Sequence, residues 1–253
     1  CGKPALEDRI VGGEKAKKGR WPWQVSLRDE ENGHFCGGSL FAKKWVISAA
    51  HCMFNIAGVE RTPSTITAVL GAYMLSKPAE QEITVKRIII HEEFNITSLN
   101  ADISILDLGG EVSYTKYTMP VCLPSSDMKF RTGMNCWLTG WGRLVFNGSY
   151  SDTLQEIEVP LIDAKLCNLS YHVEIPSDAS TANISEDMIC AGYMEGEKDT
   201  CKGDGGGPLV CLKNGHWYLT GIISFGVGCG LPYRPGVSVL VTAYVDWIYE
   251  KIF

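Results

Sequence analysis

The sequence lacks any run of about 18 apolar residues, the length a helix needs to cross a bilayer, so no spanning segment is expected within it. It lacks a charged-then-apolar leader at its start, which leaves two expectations: a leader already removed, or a piece of something longer. Cationic charge is scarce, with 23 Lys and Arg against 29 Asp and Glu and a net charge of -6. Attraction to nucleic acid, heparin or an anionic membrane by counterion release needs clustered Lys and Arg, so none of these is an expected partner. Lys15, Lys17, Lys18 and Arg20 do cluster, and in an acidic chain that run reads as a solvated loop. No two cysteines have the Cys-x-x-Cys spacing of a zinc site. Repeats and low-complexity segments are missing too.

Cysteine itself is plentiful. Ten residues, an even number, point to five disulfides and an oxidising compartment, each bridge stabilising the fold by about 2–4 kcal/mol. Four glycosylation triplets, at Asn95, Asn147, Asn168 and Asn183, fit the same address. Short apolar runs bounded by Gly, Pro, Asn and Asp recur, as at 23–27, 45–48, 66–70 and 217–223. Their β-branched and aromatic content predicts strands, and their number predicts a sandwich or barrel. One helix is expected, from Thr242 onward, burying Tyr244, Val245, Ile248, Tyr249 and Ile252 and leaving Asp246, Glu250 and Lys251 wet.

Four short motifs carry reactive residue types. Ser48-Ala49-Ala50-His51-Cys52 places a histidine among small residues, which alone reads equally as structural. Asn100-Ala101-Asp102-Ile103 sets a carboxylate before an apolar strand, where a turn or cap is the plain alternative. Cys201-Lys202-Gly203-Asp204-Gly205-Gly206-Gly207-Pro208 is glycine-rich but lacks the Gly-Lys-Ser/Thr ending of a phosphate loop. Arg9-Ile10-Val11-Gly12-Gly13 sets a basic residue before two apolar residues and a flexible pair.

Together these resemble the histidine, aspartate, nucleophile-loop and activation motifs of the trypsin-like serine peptidases, in that family's chain order. Trp21-Pro22-Trp23, Gly140-Trp141-Gly142 and Pro235-Gly236-Val237 extend the likeness along the chain. Cys1-Gly2-Lys3 and Phe225 resemble the enteropeptidase-like and transmembrane-type members, although the loop at 95–100 lacks the basic run that grips acidic substrates. The resemblance implies an all-β fold of two packed antiparallel barrels and a C-terminal α-helix. Its expected parts are an activation segment at 1–9, one barrel at 10–120, and a second with the helix at 121–253.

It further implies His51 and Asp102 as catalytic partners and residue 205 as the nucleophile. The family carries serine there, and this chain carries Gly205, so no acyl-enzyme is expected. Backbone amides of Gly203 and Gly205 are implied as the oxyanion hole. Asp199 is implied at the floor of a pocket for Arg or Lys, with Gly226 and Gly236 as its open walls, and Ser224-Phe225-Gly226 as the edge where substrate backbone adds. Cleavage after Arg9 would free the amine of Ile10 to pair with Asp204, so the uncut sequence reads as a zymogen. By the same resemblance the disulfides are Cys36–Cys52, Cys136–Cys211, Cys167–Cys190, Cys201–Cys229 and, by remainder, Cys1–Cys122.

The implied partners are proteins or peptides with Arg or Lys before the scissile bond, an activating protease and protein inhibitors. Any membrane link would run through segments outside this sequence, and the implied setting is extracellular. No cofactor is expected. The loop that binds calcium in trypsin has Ala72 at one ligand position, leaving Glu80 and Glu82, so no metal is expected either. Two histories fit Gly205: a substitution introduced to keep the protein intact, or a natural loss that left a binding module. Retention of the other motifs favours the first.

Overall fold

The computed structural model describes residues 1–5, 14–31, 33–143, 149–175, 182–196, 204–227 and 230–253. Expectations for Arg9, Ile10, Asn147, Asp199, Cys201, Gly203 and Cys229 lie outside the described residues.

The first barrel is formed by β2 (Gln24–Asp29), β3 (Gly33–Ala42), β4 (Trp45–Ser48), β5 (Thr67–Leu70), β6 (Gln81–Ile90) and β7 (Ser104–Leu108), closed in the order β2-β3-β4-β7-β6-β5. A two-residue strand, β1 (Glu14–Lys15), instead joins the second sheet by pairing with β9 (Gln155–Ile162). The remaining strands there are β8 (Asn135–Gly140), β10 (Met188–Ala191), β11 (Pro208–Lys213), β12 (His216–Phe225) and β13 (Gly236–Leu240). Pairing of β9 with β8 closes this sheet as a second antiparallel barrel of six strands, with β1 on its margin. Closure removes the edge strands that an open sheet of this apolar content would expose.

Local chemistry explains the turns. Asn214 and Gly215 join β11 to β12, both with positive φ (51° and 74°), the geometry that a two-residue hairpin turn requires. Val25, Leu27, Leu40, Val46, Ile47 and Ile105 fill the first barrel at 0 % exposure. Cys136, Leu138, Val159, Leu161, Leu209 and Cys211 fill the second. Between the barrels lies an indole cluster. Trp21 meets Trp23 at 5.8 Å, Trp137 of β8 at 5.8 Å and Trp217 of β12 at 5.0 Å between ring centroids.

Disulfides join Cys1 to Cys122, Cys36 to Cys52, Cys136 to Cys211 and Cys167 to Cys190. The Cys1 bridge is reinforced by backbone: the Gly2 N–H donates to Pro120 and the Gly2 carbonyl accepts from Trp217, each at 2.8 Å. Gly2 has φ 62°, and a Cβ there would come 2.3 Å from the Trp217 carbonyl, so this docking requires glycine.

Several expectations need correction. The terminal helix runs Val245–Ile252 after a single 3-10 turn at Val241–Ala243. Tyr249 is not buried by it; the ring stays 44 % exposed and stacks on Phe253. Lys251 is half-buried against Glu92 rather than wet. A second helix, α1 (Ala164–Tyr171), precedes the terminal α2 and was not expected; the Asp163 carboxylate caps it by accepting the Leu166 N–H at 2.9 Å. Finally, Arg20 leaves the solvated run. It is 7 % exposed, donates to Glu156 at 2.5 Å and stacks over Trp137 at 4.4 Å. Trp21 donates to the other Glu156 oxygen at 2.6 Å, which completes the partners a buried carboxylate needs.

Candidate active site

His51 and Asp102 are 51 residues apart and meet because their strands are neighbours. β4 pairs antiparallel with β7, with Ser48 opposite Ser104. The chain leaving β4 and the chain entering β7 therefore lie at the same end of the barrel. His51 opens a 3-10 turn, His51–Met53, whose Cys52 is tied to Cys36 on β3. Asp102 sits two residues before β7 and is 0 % exposed.

Three donors converge on that carboxylate. The His51 N–H reaches Oδ1 at 2.8 Å, His51 Nδ1 reaches Oδ2 at 2.7 Å, and the Ser224 hydroxyl reaches Oδ2 at 2.5 Å. A carboxylate so held orients the ring through Nδ1, leaving Nε2 free of that contact. Burial alone would lower the His51 pKa, but the charge and hydrogen bond of Asp102 outweigh it and raise it above the ordinary 6.5.

Nε2 points at Gly205. A Cβ built on Gly205 would lie 2.8 Å from Nε2 and 3.2 Å from Cε1, so the imidazole leans into the place of an absent side chain. Residue 205 precedes β11, and its carbonyl accepts the Gly37 N–H at 2.9 Å, fixing the loop against the first barrel. The next glycine has a different role. Gly206 has φ 78°, and a Cβ there would come 2.2 Å from the Ser48 hydroxyl and 2.6 Å from the Gly37 carbonyl, so only glycine fits. Gly205 is not among the positive-φ residues, and its backbone accepts an ordinary L side chain.

Asp204 turns the other way and is buried at 8 % exposure. Its Oδ1 accepts the Gly142 N–H at 2.8 Å. Cβ atoms at Gly140 and Gly142 would come 2.0 and 2.2 Å from the carboxylate oxygens, which explains the glycines on both sides of Trp141.

Ser224 and Phe225 end β12, and Gly236 opens β13 opposite Ala191. Two residues absent from the sequence expectations support this wall. Tyr171, in α1, donates its hydroxyl to the Pro235 carbonyl at 2.8 Å and meets Phe225 edge-on at 6.4 Å. Arg234, 1 % exposed, donates to the carbonyls of Ser170 at 3.0 Å and Val173 at 3.1 Å, neutralising the C-terminal end of α1. Its basic character beside Pro235 was the available signal. The Ser224 bond to Asp102 was likewise missed, because nothing in a Ser-Phe-Gly triplet reveals which carboxylate it faces.

Asn95 is exposed, and its Oδ1 accepts the N–H groups of Thr97 and Ser98 at 2.9 and 3.0 Å. Asn183 is exposed, whereas Asn168 is half-buried with Oδ1 on the Ile184 N–H at 2.9 Å. Glu80 is used locally: Oε2 accepts the hydroxyls of Thr115 and Thr118 at 2.5 and 2.9 Å. Cys36, His51 and Cys52 lie within 4.8 Å, but both sulfurs are spent in a disulfide. Against known families, the model described as Trypsin matches residues 10–248.

Proposed function

The chain belongs to the trypsin family, and from that premise we propose a serine endopeptidase scaffold selective for Arg and Lys, inactive because Gly205 stands at the nucleophile position. The family acts on protein substrates, and its fold here is the pair of antiparallel barrels with a terminal helix. One observation carries the reading. His51 is fixed on Asp102 through Nδ1, while Nε2 is directed at the side-chain position of residue 205, where no hydroxyl exists.

With serine at 205, Nε2 would take the hydroxyl proton as the oxygen attacks the scissile carbonyl, then return it to the leaving amine. Asp102 would stabilise the imidazolium without accepting the proton. In this reading the amides of Gly203 and Gly205 stabilise the oxyanion, and Asp199 selects the substrate cation between Gly226 and Gly236. Ser224 is a positioning residue, because its hydroxyl fixes the Asp102 oxygen that His51 uses. Cleavage after Arg9 supplies the Ile10 amine to Asp204, whose buried carboxylate lies between Gly140 and Gly142. The disulfides support the reading of an oxidising, extracellular setting, and the proposed glycan sites are Asn95, Asn147, Asn168 and Asn183.

The test is Gly205→Ser, cleaved after Arg9 and assayed on Arg, Lys and Phe peptides beside the unaltered chain. Turnover selective for Arg and Lys is expected only with serine, with a gain on the order of 10⁶-fold. A folded, cleaved serine variant without turnover would overturn the enzyme reading in favour of a binding module.

A further inference from the structure

A recess of 490 Å³ lies between the loop at 91–101 and the terminal helix. It is lined by His91, Glu93, Ala101, Asp187, Tyr244 and Trp247 among others, and no Lys or Arg is among its described lining residues. We infer that it is a second cation site, separate from the Asp199 pocket, that takes the guanidinium of an arginine presented by a protein partner.

Its walls are aromatic and its polar atoms are anionic. The His91 ring meets Tyr244 edge-on at 5.0 Å and Trp247 at 4.8 Å, so three π systems border one space. Asp187 accepts the hydroxyls of Ser185 and Tyr244, which aim the carboxylate while leaving lone pairs for a further donor. Glu93 is exposed at the rim. The Tyr244 hydroxyl senses the convergence: burial first, then Asp187, Glu93 and Asp102, push its pKa upward. On the terminal helix, Lys251 pairs with Glu92 at 2.6 Å. Glu92 also accepts the Trp247 indole N–H at 2.8 Å and so holds that ring as a wall.

A planar guanidinium stacks on aromatic faces while forking to a carboxylate, and a compact ammonium does this less well. The occupant is therefore arginine rather than lysine. Ala101 forms part of the wall and is followed in the chain by Asp102, the carboxylate that orients His51.

The probe is N-acetyl-arginine amide, titrated calorimetrically at low salt and about pH 8, where imidazole is ordinarily neutral. The full chain carries Asp199→Asn to silence the other proposed cation pocket. One binding event is expected, weakened about fivefold by adding Glu93→Gln and weaker for the lysine analogue. Glu93 is exposed, so its substitution leaves folding intact. No binding to the Asp199→Asn chain, or binding indifferent to Glu93→Gln, overturns the inference. Failure of the Asp199 reading looks different: the unaltered and Asp199→Asn chains would then titrate alike.

Discussion

Two adjacent glycines obey different constraints. Gly206 is fixed by a positive φ and by the Ser48 hydroxyl 2.2 Å from its Cβ position. At Gly205 the close neighbours of a Cβ are the movable tip of His51, with the Cys52 sulfur at an ordinary 3.9 Å. Gly206→Ala is therefore expected to destabilise the fold by about 1–3 kcal/mol, and Gly205→Ala by much less, because added Cβ stiffness in the unfolded chain offsets the ring's displacement. Urea unfolding of the two variants side by side measures the contrast.

Protonation of His51 is a second property of single residues. Its folded pKa is raised, so the pair with Asp102 contributes stability that is fully present below the unfolded value of 6.5 and is lost as pH rises through the folded value. The difference in urea midpoint between the parent and His51→Gln is expected to shrink across that window. Activity of the serine-restored enzyme, which needs neutral His51, is expected to rise across the same window.

At the scale of elements, strands were legible and short helices were not. The runs at 45–48 and 66–70 match β4 (Trp45–Ser48) and β5 (Thr67–Leu70) because β-branched and aromatic residues concentrate there, and the second run stops at Gly71. α1 escaped because eight residues give barely two turns of periodicity; Asp163 as N-cap was its readable trace. Arg20 escaped for the opposite reason: its basic neighbours are solvated, and its partner Glu156 lies 136 positions away. Motif order brought His51 and Asp102 together, but the convergence of Ser224 on the same carboxylate depends on β12 passing beneath it.

α1 also has a consequence for the proposed pocket. Arg234 anchors the end of the helix and immediately precedes Pro235-Gly236. Arg234→Met would remove the guanidinium donor from the buried Ser170 carbonyl and the part-buried Val173 carbonyl, a loss of about 1–2 kcal/mol. In the serine-restored enzyme it is expected to raise KM for Arg substrates more than it lowers kcat, as steady-state kinetics would show.

For the whole molecule, the described disulfides lie within a barrel or tie Cys1 to Cys122, and none joins barrel to barrel. Contacts that hold the barrels together include the indole cluster, Gly37 with Gly205, Ser224 with Asp102, and the buried bond from the Thr139 hydroxyl to the Gln24 side-chain oxygen at 2.6 Å. Thr139→Val would orphan that oxygen and is expected to cost about 1–3 kcal/mol. A single urea transition moved to lower concentration is the expected trace, and two separated transitions would show that the barrels had been uncoupled.

The indole cluster makes that cohesion optically visible. Trp21, in the segment before β2, lies 5.8 Å from Trp137 of β8 and 5.0 Å from Trp217 of β12 between ring centroids, close enough for their electronic transitions to mix and imprint a strong near-ultraviolet ellipticity. Because the backbone of Trp217 is clasped by Gly2, undocking the N-terminal segment would disturb the same chromophores. The molecule thus carries its own unlabelled gauge of whether its leading residues remain seated.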